Sequence, residues 1–311
     1  MKIALLFSGQ GAQYPGMMKD LYDTETSVKN VFDNADDALG RNISTLCFEG
    51  TQEELNLTHN TQPCMLASDL AAAMALKEHG VVADVVAGFS LGEYAALAYA
   101  NAIDQKDVFK LIQIRADAMQ EAVAPGEGAM AAFVGATSEQ VEDICSRVTK
   151  GYVVAANYNS PVQTVVSGSA TGVDEACELA EKAELRCVKL AVSAPFHCAL
   201  MEPAAIRLEE EFKTITFDDP SVPVYMNVDG NQYVKGDVIA DLLVKQAMSP
   251  VRWVQTLENM KEAGVDTFIE CGPGKTLSGL VKKTLKGVKV YRVENVKTLN
   301  DTLEALKNEN S

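Results

Sequence analysis

The sequence predicts an α/β protein, a large body with a mostly parallel sheet interrupted by a small inserted domain. Three observations carry this expectation. Short apolar strands alternate with longer helical stretches along most of the chain, the pattern of a parallel sheet covered on both faces. Between residues 127 and 193 the order changes to β-α-β-β-α-β. The flanks of that segment, Pro125-Gly126 and Ala194-Pro195, carry chain-breaking residues. The body is then residues 1–126 and 194–311, and the insert is 127–193.

Taken in order, the strands expected in the body are Ile3–Phe7, Val85–Ala87, Val224–Asn227, Thr267–Glu270 and Lys289–Arg292, each short and rich in apolar residues. Its helices include Met65–Glu78, Gly92–Ala100, Asp107–Glu121, Leu200–Phe212, Val238–Gln246, Val254–Ala263 and Leu277–Thr284. In the insert, Ala129–Val134 reads as a strand and Ser138–Val148 as a helix. Tyr152–Ala156 and Thr164–Ser167 are strands around a turn at Asn159-Ser160-Pro161. Thr171–Ala183 is a helix and Arg186–Val192 a strand. That order is the split pattern of a ferredoxin-like domain.

Composition narrows the function. Hydrophobic residues make up 47% and charged residues 23%, an ordinary globular profile. No apolar run approaches a bilayer span, and MKIALLF is too short for a signal-peptide core. Seven cysteines without a CxxC pair fit reduced thiols in a cytoplasm. A net charge of −16 argues against a nucleic-acid partner. Against that background, Lys275, Lys282, Lys283, Lys286, Lys289, Arg292 and Lys297 form a basic stretch broken only by Glu294. It reads either as a solvated face or as a landing surface for an acidic partner.

The chemistry is signalled by GFSLGEY at 88–94. A GxSxG between an apolar strand and an Ala/Leu-rich helix is the setting of a nucleophile elbow, as in an α/β-hydrolase-like body. Small residues around a serine also occur at plain turns; the strand–turn–helix context favours Ser90 as a nucleophile. A serine needs a base, and the chain has three histidines. His79 ends a helix before Gly80, where it complements the helix dipole. His59 is expected in a polar loop. His197 lies at the junction of insert and body, where pockets form, and elimination favours it. No acid is clearly placed to orient it; a backbone carbonyl would serve. Arg115 falls within the apolar stripe of its helix, so its guanidinium needs an internal carboxylate or a substrate carboxylate. Gly9-Gln10-Gly11-Ala12-Gln13-Tyr14 lacks the third glycine of a dinucleotide fingerprint, and Gly274-Lys275-Thr276 lacks the first glycine of a P-loop. No residue grouping has metal-ligand spacing.

Together these pieces resemble the malonyl-CoA:acyl-carrier-protein transacylases of fatty acid synthesis and the acyltransferase domains of polyketide synthases. The resemblance rests on FSGQGAQYPGM near the start, TQPCML at 61–66, GFSLGEYAAL at 88–97, IRADAMQ at 114–120 and GAMAAFVG at 128–135. It continues in NYNSPVQTVVSG at 157–168, APFHCALM at 194–201, QAMSPVRW at 246–253 and ECGPGKTLSGL at 270–280. It implies that Ser90 attacks a malonyl thioester, with His197 as base and later acid, oriented by the main-chain carbonyl of Gln246. It implies an oxyanion hole from the amides of Gln10 and Leu91 and a malonyl carboxylate held by Arg115. Phe196 matches the malonyl-type pocket of the polyketide relatives, and Gln62, Asn157 and Asn159 correspond to site-lining positions. The family usually has His where this chain has Phe89. The expected partners are malonyl-CoA and acyl carrier protein, with no nucleic acid and no membrane, and the chain is expected to be a cytoplasmic monomer without a bound cofactor. The alternatives are a stand-alone acyltransferase feeding a polyketide synthase, a serine esterase or thioesterase, and a catalytically weak assembly subunit.

Overall fold

Five apolar residues in a row, Ile3–Phe7, form β1, and all five are buried, as a central strand requires. The computed structural model describes residues 1–192 and 194–309. Ser193, expected to end the insert, lies outside the described residues. After β1 come four short helices that the sequence pattern does not delimit: α1 (Lys19–Thr24), α2 (Thr26–Leu39), α3 (Ile43–Glu49) and α4 (Gln52–Leu55). Then follow α5 (Thr58–Glu78), β2 (Val85–Gly88), α6 (Gly92–Tyr99) and α7 (Gln105–Glu121), the last capped by the Asp104 side chain on the Lys106 amide. Helix α5 starts earlier than the expected Met65, running through Pro63. A proline six residues into the helix forfeits one backbone bond, and the near-complete burial of Thr61 to Ala73 outweighs that loss.

The next stretch is β3 (Gly128–Val134), α8 (Ser138–Ser146), β4 (Val153–Ser160), β5 (Gln163–Ser169), α9 (Ala170–Lys182) and β6 (Arg186–Lys189). Strand β4 continues through Asn157, Asn159 and Ser160, so the turn falls at Pro161-Val162, later than expected. Strand β6 stops at Lys189, short of Val192; after Leu190 bonds to the Met130 carbonyl the chain leaves the sheet. The body resumes with α10 (Glu202–Phe212), β7 (Val224–Tyr225), β8 (Gln232–Tyr233), α11 (Ile239–Met248) and α12 (Trp253–Glu262). It closes with β9 (Thr267–Cys271), α13 (Thr276–Thr284), β10 (Lys289–Val293) and α14 (Val296–Glu309).

The large sheet has the order β10-β9-β1-β2-β7-β8, parallel throughout except for the β7–β8 hairpin at one edge. One face packs on α2, α5, α6 and α7, and the other on α12 and α13. The small sheet has the order β4-β5-β3-β6 with every pairing antiparallel. Its outer face is covered by α8 and α9. Its inner face, with Met130, Ala132, Ala156 and Val165, packs on Ala118, Met119, Phe196 and Met201. A parallel bridge between Asn157 and Val251 fastens β4 to the body, with Val251 donating to the Ala156 carbonyl at 2.8 Å and Tyr158 to the Val251 carbonyl at 2.9 Å. Among the described residues no helix is long and apolar enough to cross a membrane.

Helix α9 packs against β6 and brings Cys177 and Cys187 side by side, at a Cα separation of 5.5 Å that is within disulfide reach; the other five cysteines are free. Spacing alone does not show that juxtaposition, because helix-on-strand packing creates it.

Candidate active site

Strand β2 ends at Gly88, and the chain turns at once into α6. Room for that turn is bought by two glycines: a Cβ at Gly88 would fall 1.8 Å from the Gly92 carbonyl carbon, and one at Gly92 would fall 2.3 Å from the Phe7 carbonyl oxygen. Ser90 sits at the tip with φ 55°, a left-handed conformation that a serine holds only when its surroundings impose it. Asn227, just beyond β7, does so: its Oδ1 accepts the Ser90 amide at 2.7 Å and its Nδ2 donates to the Gly88 carbonyl at 2.7 Å.

His197 comes from the chain returning out of the small sheet, also at positive φ, 60°, and is 3% exposed. Its Nε2 accepts the Ser90 hydroxyl at 2.6 Å, and its Nδ1 donates to the Gln246 carbonyl at 3.0 Å. Burial, followed by the nearby Arg115 charge, pushes the imidazole down to about 4, so at neutral pH it is uncharged and able to take a proton. The two other histidines are elsewhere. His79 caps α5 and pairs with Glu25. His59 is not in a loop: α5 begins at Thr58, and His59 pairs with Asp117 of α7 at its surface.

Arg115 is fully buried on α7. It donates to Gln62 Oε1 at 2.8 Å, to Gln246 Oε1 at 3.1 Å and to the Ser90 hydroxyl at 3.0 Å, and its guanidinium lies 5.5 Å from the Tyr94 ring centroid. Among the described residues it forms no salt bridge, so the internal-carboxylate alternative lacks its contact. Its charge is met by amide oxygens and a π-face, which leaves it able to take an anion.

Ser90, His197 and Arg115 open onto a cavity of about 450 Å³ between the two sheets. Gln10 and Leu91 line it beside the nucleophile. Gln62, Asn157, Asn159 and Phe196 line it as well, so all the residues expected at the acyl site except Gln246 reach the wall. Gln246 stands behind, touching the site through His197 and Arg115. Lys275 and Lys283 line the same cavity from the start and last turn of α13. The basic stretch divides: Lys289, Arg292 and Lys297 pair with Glu309, Glu294 and Asp301, whereas Lys275, Lys282, Lys283 and Lys286 form no salt bridge among the described residues. Phe89 borders the cavity and packs edge-on against Trp253, ring centroids 5.3 Å apart.

A strained serine on an elbow, an uncharged histidine within reach of it and a buried arginine at the same hydroxyl are equipment for acyl transfer from a carboxylate-bearing donor. Residues 4–304 match the family model described as acyl transferase domain. The chain belongs to the acyl transferase domain family. Members of it similar to this chain include the malonyl CoA-acyl carrier protein transacylase of Bacillus subtilis strain 168, 44% identical over 99% of this chain and 98% of that protein. The protein of that name from Escherichia coli strain K12 is 41% identical over 91% and 92%. A crystal structure of malonyl CoA-acyl carrier protein transacylase from Clostridium perfringens superposes with a TM-score of 0.96 at 43% identity, over 100% of this chain and 98% of that one. A type II PKS acyl-carrier protein in complex with its malonyl-transacylase offers a further match, with TM-score 0.95 at 38% identity over 98% and 100% of the two chains.

Two residues that hold this acyltransferase site together were not picked out from the sequence. Asn227 acts across 137 residues, through the pairing of β2 with β7, and leaves no local signal. Glu93 leaves one: it is the sole charged residue of the otherwise apolar helix GEYAALAY, and it is fully buried.

Proposed function

We propose that this chain transfers a malonyl group from malonyl-CoA to the phosphopantetheine thiol of acyl carrier protein through a malonyl-Ser90 intermediate, supplying fatty acid synthesis. The observation that carries it is the convergence of Arg115 and His197 on one hydroxyl. Ser90 Oγ attacks the thioester carbon as His197 Nε2 takes its proton, and the proton passes to the leaving thiolate of coenzyme A. The amides of Gln10 and Leu91 receive the oxyanion, where donors aimed at developing charge contribute most. Arg115 holds the malonyl carboxylate through a planar fork suited to two oxygens. The carrier thiol then gives its proton to His197 and attacks the malonyl ester, and Ser90 recovers its proton. The thioester is already activated, so this reading uses no metal or bound cofactor.

The reading extends to the architecture. Residues 127–193 are a ferredoxin-like insert, supported by the β4-β5-β3-β6 order with two covering helices. Residues 1–126 and 194–311 are an α/β-hydrolase-like body, supported by the elbow at the end of a central parallel strand. A second carrier is favoured by one observation, the similarity to the malonyl-transacylase bound to a type II PKS carrier: the same site would then serve polyketide synthesis. Incubation with labelled malonyl-CoA and then with each carrier tests the function. Label must pass to Ser90 and on to a carrier; release as free malonate would mean a thioesterase.

A further inference from the structure

Glu93 has no task in the transfer just described, yet it lies at the root of the site. It is fully buried in the first turn of α6, three residues after the nucleophile. Its Oε2 accepts from Gln246 Nε2 at 2.8 Å, and its Oε1 accepts the backbone amide of Asn227. Each partner has a second grip. Gln246 Nε2 also donates to the Ser90 carbonyl at 2.7 Å, its Oε1 receives Arg115, and its main-chain carbonyl receives His197. Asn227 holds the Ser90 amide. Nucleophile, base and clamp are therefore each one residue removed from a single carboxylate.

The polarity of this network is forced. Both hydrogens of Gln246 Nε2 are used, on Glu93 and on the Ser90 carbonyl, and its Oε1 then faces the Arg115 guanidinium, which can only donate. Turning the amide over would set its NH₂ against Arg115 and its oxygen against the Ser90 carbonyl. Both Glu93 oxygens accept, and each contact they make is with a donor, so a proton on either would bring a hydrogen with no acceptor of its own in this network. The arrangement favours the ionised carboxylate.

We propose that Glu93 is a positioning residue for the transfer, whose ionised carboxylate fixes the Gln246 amide and, through it, the aim of Arg115 and His197 at Ser90. This rests on the malonyl-transfer reading and adds an acid to it. The charged and titratable groups around Glu93 are Arg115 from α7, Tyr94 from α6 itself, Asp229 after β7 and, through Gln246, His197. Burial pushes the Glu93 carboxyl up to about 8, against the pull of its two hydrogen bonds and of Arg115. Protonation thus competes with the working arrangement near neutral pH, and acylation of Ser90 rises as pH increases through this range. His197, pushed down to about 4, is too acidic to produce that limb.

The test is the rate of Ser90 acylation by malonyl-CoA, stopped rapidly and read by intact mass, from about pH 6 to about pH 10. In the unaltered protein the rate should climb to a plateau with its midpoint near 8. In Glu93→Gln, where any amide orientation leaves a donor facing a donor, it should be slower by roughly ten- to hundredfold, as for a lost orienting partner, and the step should vanish. A flat profile in the unaltered protein overturns the proposal without any variant having to fold, and so does a step that persists in Glu93→Gln. Acylation lacking the step leaves the transfer reading standing and removes only Glu93. No acylation of Ser90 at any pH would sink both.

Discussion

Arg115 donates to the Ser90 hydroxyl at 3.0 Å, with no salt bridge to a carboxylate among the described residues. The direct hydrogen bonds of this buried cation go only to neutral oxygens, so on the proposed reading its fork is free to meet the malonyl carboxylate. A charge-assisted hydrogen bond contributes about 1.5–3 kcal/mol, so a bidentate pair gives roughly 100-fold or more discrimination. Arg115→Ala should cripple malonyl loading while sparing or improving acetyl loading, and Arg115→Lys should fall between. Acylation by malonyl-CoA and acetyl-CoA, read beside the melting temperature, decides it. An unchanged malonyl-to-acetyl ratio would remove Arg115 from the substrate site.

Ser90→Ala should abolish the malonyl adduct seen by intact mass with malonyl-CoA alone. His197→Ala should slow loading by several orders of magnitude, as loss of a triad base does. An adduct on another residue, or near-normal turnover without His197, would contradict the assignments.

His197 also ties stability to acidity. Its folded value of about 4 lies below its ordinary 6.5, so the uncharged form is favoured on folding. Its contribution is fully present above about 6.5 and is lost as pH falls toward about 4, roughly 3 kcal/mol in total. The stability gap between the unaltered protein and His197→Gln, from denaturant titrations, should narrow across that window. A constant gap would mean that the imidazole is not desolvated.

Phe89 occupies its position by packing on Trp253. Phe89→His should therefore leave malonyl loading within roughly tenfold, a barrier change of about 1.4 kcal/mol. A larger change in single-turnover rate would place position 89 in the chemistry.

The lysines on and just after α13 that form no salt bridge among the described residues suit an acidic carrier. Charge reversal at Lys282, Lys283 and Lys286 should raise the KM for acyl carrier protein and leave loading from malonyl-CoA nearly unchanged, since rim charges act on encounter. Added salt should weaken the carrier step in the same way. Equal effects on both half-reactions would assign the patch to coenzyme A or to structure.

Much of this site was legible because its chemistry is local or scarce. The elbow around Ser90 is a contiguous strand–turn–helix, three histidines leave little choice, and an arginine in an apolar helical stripe stands out. The Gln246 carbonyl was reachable only through family resemblance, because any residue has a carbonyl. The Glu93–Gln246 contact spans 153 residues and depends on how α6 and α11 meet, which no periodicity encodes. His59 was misplaced because Pro63 reads as a helix boundary, whereas tertiary burial carried α5 through it. Helices α1, α3 and α4, with 6, 7 and 4 residues, make too few turns for a 3.6-residue period to emerge.

The cavity is walled from two sources. The reacting hydroxyl, its clamp and the amide-bearing loops belong to the layer around β1 and β2, whereas Met130, Val165, Leu190 and Val192 come from or follow the small sheet. Nucleophile and roof are thus supplied by separate pieces of chain, with His197 at the joint between them. Exchanging Met130 or Val165 should then alter the room above Ser90 while the hydrogen bonds among Ser90, His197 and Arg115 stay in place.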